Sequence, residues 1–205
     1  MAKKLYEENN IQAIADAIRA KNGTNSKYKT SEMASAISAI ETGGDLGDFK
    51  TLLEVNYDEI TELTIPEGIT KLRNYCFQYY DALESVSLPS TLVALGSSSF
   101  SGCYALSQIT LPENLTNIYP RVFEDCSSLT SVTIPSGVKT LFECTFGWCY
   151  GLTEVTFKGT PESISEELFW KCDNLTTINV PWAEGAVANA PWGATNATIN
   201  YNYVG

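Results

Sequence analysis

Phenylalanine recurs at intervals of 23 residues, at Phe77, Phe100, Phe123, Phe146 and Phe169, without an error. A chain that repeats at such an interval builds one small structural unit per period, and no unit of that size can bury its apolar face alone. Other columns hold the same register. Leu83, Leu106, Leu129, Leu152 and Leu175 form one, Leu72, Leu95, Ile118, Leu141 and Ile164 another, and Val86, Ile109, Val132, Val155 and Ile178 a third. Pro66, Pro89, Pro112 and Pro135 mark where each coil turns, and Pro181 returns two periods later. Stacking turns each column into a continuous internal ladder, so the pattern predicts a solenoid of five coils with the five phenylalanines in its core. The fifth coil is locally irregular. Lys158 takes the proline place there, and Pro161 stands where Ile69, Leu92, Leu115 and Val138 stand elsewhere.

Within a coil, Leu83-Glu84-Ser85-Val86-Ser87-Leu88 alternates with period two. That predicts a strand with Val86 and Leu88 inward and Ser85 and Ser87 outward. The outward columns are Glu62, Ser85, Gln108, Ser131, Glu154, Thr177 and Thr64, Ser87, Thr110, Thr133, Thr156, Asn179. A parallel sheet with a polar, hydroxyl-lined face is expected.

Residues 10–42 follow a different rhythm. Ile11, Ile14, Ala15 and Ile18 fall on one face of a helix, and Met33, Ile37 and Ile40 on one face of a second that starts at Thr30. Gly43 and Gly44 end it. The apolar area of such a hairpin is too small for an independent domain. Ile11, Ile14, Ile18, Met33, Ile37 and Ile40 are therefore expected to pack on a partner or a sister subunit. The resulting division is a helical hairpin anchor at 1–43, a linker and solenoid entry at 44–59, the solenoid at 60–180 and a C-terminal cap at 181–205. In the cap Ile199, Tyr201 and Tyr203 alternate with Asn200 and Asn202, as an edge strand would, and Trp182 and Trp192 read as lid residues over the open core.

Charge narrows the function classes. The formal net charge is −11 and the 13 basic residues are scattered, which disfavours phosphate polymers and hence nucleic acid. The chain has no histidine, which removes Ser-His-Asp and Cys-His catalysis and the commonest zinc ligand. Lys3 and Lys4 have no apolar core behind them, so no secretion signal is read, and no run approaches a membrane span. By its own sequence the chain is expected to stay in the cytoplasm until something carries it out, without membrane insertion.

Cys103, Cys126, Cys149 and Cys172 form a 23-residue column. Rungs about 4.8 Å apart carry parallel side-chain vectors, whereas a disulfide needs converging Cβ atoms about 3.8 Å apart. Four thiols along a line do not surround a zinc ion. Reduced, buried thiols with no metal and no cofactor are expected, and Cys76 and Cys144 lie off the column. Glu143 and Glu166 are one period apart, a spacing that could approach the two carboxylates of a glycosidase. A regular array leaves no cleft to raise one of their pKa values, so no catalytic residue is assigned. Tyr79, Tyr104, Tyr119, Phe142, Trp148, Tyr150 and Trp170 occupy columns that vary from coil to coil. Exposed aromatics with Asp and Asn around them suit sugar or protein recognition. Tyr104, Trp148, Tyr150 and Trp170 are the binding candidates, the alternative being that they pack against neighbouring turns or a sister subunit. Asp81, Asp125 and Asp173 would surround them with negative charge.

Ile134-Pro-Ser-Gly-Val-Lys-Thr-Leu141, followed by Phe146, Cys149 and Leu152-Thr-Glu-Val-Thr, is similar to the BspA-type leucine-rich repeat of bacterial surface proteins. Tyr80 in place of the column cysteine, and Cys76 where that family usually has alanine, depart from the pattern. The resemblance implies a leucine-rich-repeat solenoid, one parallel strand plus turns or short helices per coil, alongside the N-terminal α-helical hairpin. Ile11-Gln-Ala-Ile-Ala-Asp-Ala-Ile-Arg with Ser31-Glu-Met-Ala-Ser-Ala-Ile resembles an N-terminal module of tail and fibre proteins in phages and prophages of Gram-positive bacteria. Pro181-Trp-Ala-Glu-Gly and the segment from Ala190 to Tyr201 resemble the cap of such phage-associated repeat proteins. Those two likenesses imply a virion protein at the phage tail. Residues 1–43 would hold other virion proteins, and the solenoid would hold a host cell-surface glycan or protein in a homo-oligomer. The alternatives are a surface adhesin of the BspA type, binding host matrix or glycan at the bacterial surface, and a purely architectural tail component.

Overall fold

The computed structural model describes residues 60–65 and 67–204. The expected helical hairpin, its anchor residues Ile11, Ile14, Ile18, Met33, Ile37 and Ile40, and the linker lie outside the described residues.

Each coil supplies one strand to a first wall and most supply a shorter one to a second. The first wall is built from β1 (Glu62–Thr64), β3 (Ser85–Ser87), β5 (Gln108–Ile109), β7 (Ser131–Ile134), β9 (Glu154–Phe157), β11 (Thr177–Asn179) and β12 (Thr198–Asn200). The second is built from β2 (Lys71–Leu72), β4 (Ala94–Leu95), β6 (Asn117–Ile118), β8 (Thr140–Leu141) and β10 (Ser163–Ile164). All pairing is parallel. The register follows the sequence columns, with Leu63 opposite Val86, Val86 opposite Ile109, Val132 opposite Val155 and Val155 opposite Ile178. Ile60, Leu63 and Ile65 are buried and extend the apolar columns one coil toward the N-terminus.

The phenylalanine column forms a stack through the core. Ring centroids lie 5.4, 5.8, 5.4 and 6.0 Å apart from Phe77 to Phe169. Phe100, Phe123, Phe146 and Phe169 are fully buried, while Phe77, in the first described coil, is half-buried. Offset stacking at these separations adds to the area each ring removes from water.

A third wall closes each coil, and it holds no helix among the described residues. The expected short helices are replaced by turns for a backbone reason. Tyr75, Ser98, Arg121 and Cys144 all have φ between 50° and 62°, and so do Tyr79, Asp125, Trp148 and Lys171, with Gly102 at 73° in the same column. Two left-handed residues four positions apart in the coil cannot belong to a right-handed helix.

The C-terminal segment completes a further coil rather than only lidding the fifth. Trp192, 23 residues after Phe169, is fully buried, and its carbonyl accepts the Phe169 N–H at 2.9 Å. Phe157, Trp182 and Trp192 pack at centroid distances of 5.2–6.2 Å. β12 then pairs with β11 at a shortened step, Ile178 opposite Ile199.

The expected single sheet is divided. β1, β3 and β5 form one sheet, β7, β9, β11 and β12 another, and the second wall separates in the same way into β2, β4, β6 and β8, β10. Both breaks fall at one level, between the coil that holds Gln108–Ile118 and the coil that holds Ser131–Leu141. The third wall continues across that level, with Phe123 N–H donating to Thr145 at 2.9 Å and Asp125 N–H to Gly147 at 2.8 Å. The core stack is also unbroken there.

Candidate functional site

The third wall is held by backbone hydrogen bonds from each coil to the next. Tyr79 N–H donates to Ser101 at 2.9 Å, Gly102 to Glu124 at 2.8 Å, Asp125 to Gly147 at 2.8 Å and Trp148 to Trp170 at 2.7 Å. These bonds fix the turns whatever the side chain, so the left-handed corner carries Tyr79, Gly102, Asp125, Trp148 and Lys171 in successive coils. Glycine adopts that backbone without strain, and other residues do so at a cost of order 1 kcal/mol. Gly102 alone takes the relief, and the space its side chain would fill is taken by the Tyr79 ring, 2.4 Å from an idealised Cβ. The other four corners keep bulky or charged side chains at a strained position.

The binding candidates gather on this wall. Tyr104, Tyr150 and Trp170 are 39%, 43% and 43% exposed, and Trp148 is half-buried beside them. The Tyr150 N–H donates to the Trp148 carbonyl at 2.9 Å, so Trp148, Tyr150 and Trp170 share two adjoining coils. Tyr104 stands two coils away with Ser127 between. Tyr79 joins Tyr104 at that end, and Tyr75, which the column analysis did not single out, is exposed on the same wall. The signal for Tyr75 was its place four residues before Tyr79, in the column of the other left-handed corner. Tyr119 and Phe142 are not part of this group. They stack on each other at 6.2 Å where the second wall ends, with the Lys71 ammonium 5.6 Å from the Tyr119 ring.

Carboxylates lie between the two aromatic groups. Glu124 and Asp125 belong to the middle coil, and burial raises both of their pKa values, for Glu124 against the opposing pull of Arg121, 3.3 Å away. The Tyr104 hydroxyl is also held above its ordinary value, first by desolvation and then by Asp125 and Asp81. At the far end the Lys171 ammonium sits 5.7 Å from the Trp170 ring, so that ring already faces a cation. The wall is thus aromatic at both ends and acidic in the middle.

The strand face of the first wall has the expected polar columns, with two refinements. Asn179 is buried, because its amide donates to Glu154 at 2.7 Å and to Thr156 at 3.2 Å and its carbonyl accepts from Asn200 at 2.8 Å. At the break between β5 and β7 lies a cavity of about 510 Å³, lined by Gln108–Leu111, Glu113, Thr130–Thr133, Pro135 and Lys158. The Lys158 ammonium reaches back over the intervening coil to the Glu113 carboxylate. Lys158 was visible in the sequence as the break in the proline column, but Glu113 had no signal of its own.

All six cysteines are free thiols. Those of the column are buried, and each donates to the carbonyl of the phenylalanine in the preceding coil: Cys103 to Phe77 at 3.2 Å, Cys126 to Phe100 at 3.3 Å, Cys149 to Phe123 at 3.1 Å and Cys172 to Phe146 at 2.8 Å. Burial pushes the Cys103 thiol up to about 12, and Cys126 and Cys149 well above their ordinary value. Off the column, Cys144 is buried at a left-handed corner and Cys76 is half-buried, with burial raising both. No group of three or more Cys, Asp or Glu side chains among the described residues is arranged to hold a metal ion. Glu143 and Glu166 are both exposed and do not line the cavity.

Comparison with solved structures supports the fold. A leucine-rich-repeat protein of T. pallidum superimposes with a TM-score of 0.58 at 24% identity, over 70% of this chain and 70% of that one. A leucine-rich-repeat protein of Eubacterium ventriosum gives 0.55 at 28% identity, over 58% of this chain but only 32% of that longer one. No match is found among curated protein sequences. The family model described as the BspA type leucine rich repeat region matches residues 55–176 in six copies, more than half of the chain. The solenoid of about six turns, with its phenylalanine and cysteine ladders, therefore belongs to the BspA-type leucine-rich-repeat family.

Proposed function

We propose that this chain is the recognition part of a bacterial surface adhesin and that its third wall docks on a protein partner presenting basic side chains. The observation that carries the reading is where the exposed aromatics lie. Tyr75, Tyr79, Tyr104, Tyr150 and Trp170 all sit on that wall, and the one other exposed aromatic among the described residues is Tyr203, in the cap. Tyr and Trp are the residue types that dominate binding energy at interfaces. Glu124 and Asp125 between them, in a chain of net charge −11, attract a cationic face and repel anionic polymers. Membership of the BspA-type family supports a surface adhesin over a phage tail protein. The virion reading rests on the likenesses of residues 1–43, outside the described residues, and of the cap, and no family model or solved relative supports it. We read the chain as a binding protein rather than an enzyme, because exposed aromatics supply contact area and no reacting group.

The test is adhesion of beads coated with the purified chain to immobilised extracellular-matrix proteins of differing charge. Trp148→Ala with Tyr150→Ala should reduce retention on a basic target at least about ten-fold, equivalent to 1.4 kcal/mol of binding. Retention that survives the double change, with folding intact, would refute the third wall as the contact.

A further inference from the structure

We infer that the break in the strand face is a second binding site, a cleft for a neutral saccharide of one or two sugar units. Its volume of about 510 Å³ lies within the roughly 300–1,000 Å³ of small-molecule clefts. Its walls are hydroxyl and amide groups, from Gln108, Thr110, Ser131 and Thr133, all on exposed residues. Ile109, Leu111 and Val132 are buried and form an aliphatic floor. Each hydroxyl both donates and accepts, which matches the dual character of sugar hydroxyls.

A main-chain group is also left for a ligand. At the two ends of the first wall, the amide in this column donates to the next coil, Ile65 to Ser87 at 2.9 Å and Val180 to Asn200 at 3.0 Å. The equivalent N–H groups of Leu88 and Leu111 have no partner among the described residues, and of the two Leu111, only 6% exposed, lines the cleft. A buried amide without a partner costs free energy that a bound hydroxyl, or water in its absence, would recover. The strands meet at one end, where Thr130 N–H donates to Ser107 at 3.3 Å, and part toward Leu111.

The charge of the cleft excludes ions. Glu113 and Lys158 are its charged lining residues, and they pair with each other across the rim. An anion would find no free cation there, and a cation no free carboxylate. A peptide adding itself as a strand needs an open row of main-chain groups. Here β5 and β7 each keep one edge facing the break, but Thr130 ties the two strands at Ser107 and their Cα atoms come within 8 Å, short of the two strand spacings, about 9.6 Å, that an inserted strand needs. A hydroxyl-bearing neutral ligand fits what remains.

The test uses the full chain and a panel of defined neutral sugars: glucose, galactose, N-acetylglucosamine, maltose, cellobiose and N,N′-diacetylchitobiose, with sialic acid and a neutral tetrapeptide for contrast. Binding is read by calorimetry and by saturation-transfer NMR. At least one neutral sugar should bind, and Thr110→Val with Ser131→Val should weaken it ten-fold or more. Thr64→Val, on the same face two coils away, should leave it unchanged. Thermal melts of each variant show whether the fold survives, and Gln108→Ala supplies a second probe if the double variant does not. The proposal fails if no neutral sugar binds, if binding ignores all cleft variants, or if the tetrapeptide or sialic acid binds there instead.

Discussion

The first and third walls obey the same 23-residue period in different ways. In the first wall the period fixes the side chains, so that Val86, Ile109, Val132, Val155 and Ile178 fill one ladder. In the third it fixes the backbone. Left-handed corners recur in every coil from Tyr79 to Lys171, while the residues on them run through Tyr, Gly, Asp, Trp and Lys. A wall whose shape is set by main-chain hydrogen bonds can change its chemistry without changing its shape. Inward side chains specify the fold, and corner side chains are free to specify a partner.

The sharpest way to break that contrast is Phe123→Ala. Phe123 is fully buried and stacks on both Phe100 and Phe146, so its loss opens a void facing two coils. The change should cost about 3–5 kcal/mol in denaturant unfolding. A loss as small as that of a corner residue would mean that the core stack does not carry the fold.

The thiol ladder should show itself in the pH dependence of stability. The Cys103 thiol has an ordinary value of 9.0 and lies at about 12 in the fold. Between those values the folded chain keeps a proton that the unfolded chain releases, so stability must fall as pH rises. The slope is about 1.4 kcal/mol per pH unit for each such thiol. Urea midpoints measured from pH 8 to pH 10.5 should fall progressively, and Cys103→Ala should reduce the slope. A flat profile would show that the buried thiols ionise as freely as unfolded ones.

On the third wall, Tyr150→Ala should change stability by less than about 1 kcal/mol, the range of surface substitutions. Calorimetric melting checks it, and a change as large as that of Phe123→Ala would make Tyr150 part of the core. The smallest effect concerns Asp125, whose carboxyl is pushed up by desolvation and whose backbone is left-handed. Asparagine removes the charge and tolerates that backbone better. Asp125→Asn should stabilise by a few tenths of a kcal/mol at neutral pH. The gap should close as pH falls through the carboxylate range, where protonation relieves the native aspartate as well. Destabilisation at pH 7 would mean that the carboxylate has a favourable partner.

Much of this was legible from the columns. Phe100, Cys126 and Leu129 each announced a buried position, because equal spacing in a stacked chain means equal environment. Trp192 was legible as a lid residue but not as the successor of Phe169, since the intervening segment carries none of the other columns. The break between β5 and β7 was not legible at all. Gln108, Ile109 and Thr110 have the same alternation as Ser131, Val132 and Thr133, and whether two such strands pair depends on how neighbouring coils tilt. The two-coil step from Tyr104 to Tyr150, and the place of Trp148 beside Tyr150 on one turn, were legible in the spacing, whereas Tyr79 beside Tyr104 was not. Asp125 was legible as part of their acidic surround, whereas Glu124 became visible only when the turns were closed.

The cysteine ladder has a consequence for where such a chain can work. Oxidants attack thiolates, and a disulfide needs a second sulfur converging on the first. Here the column thiols are buried, donate to phenylalanine carbonyls and are held in parallel about one strand spacing apart. Protection comes from access and geometry rather than from a reducing compartment. A chain with six cysteines can therefore meet an aerobic exterior and keep its column thiols unlinked for as long as its coils stay stacked.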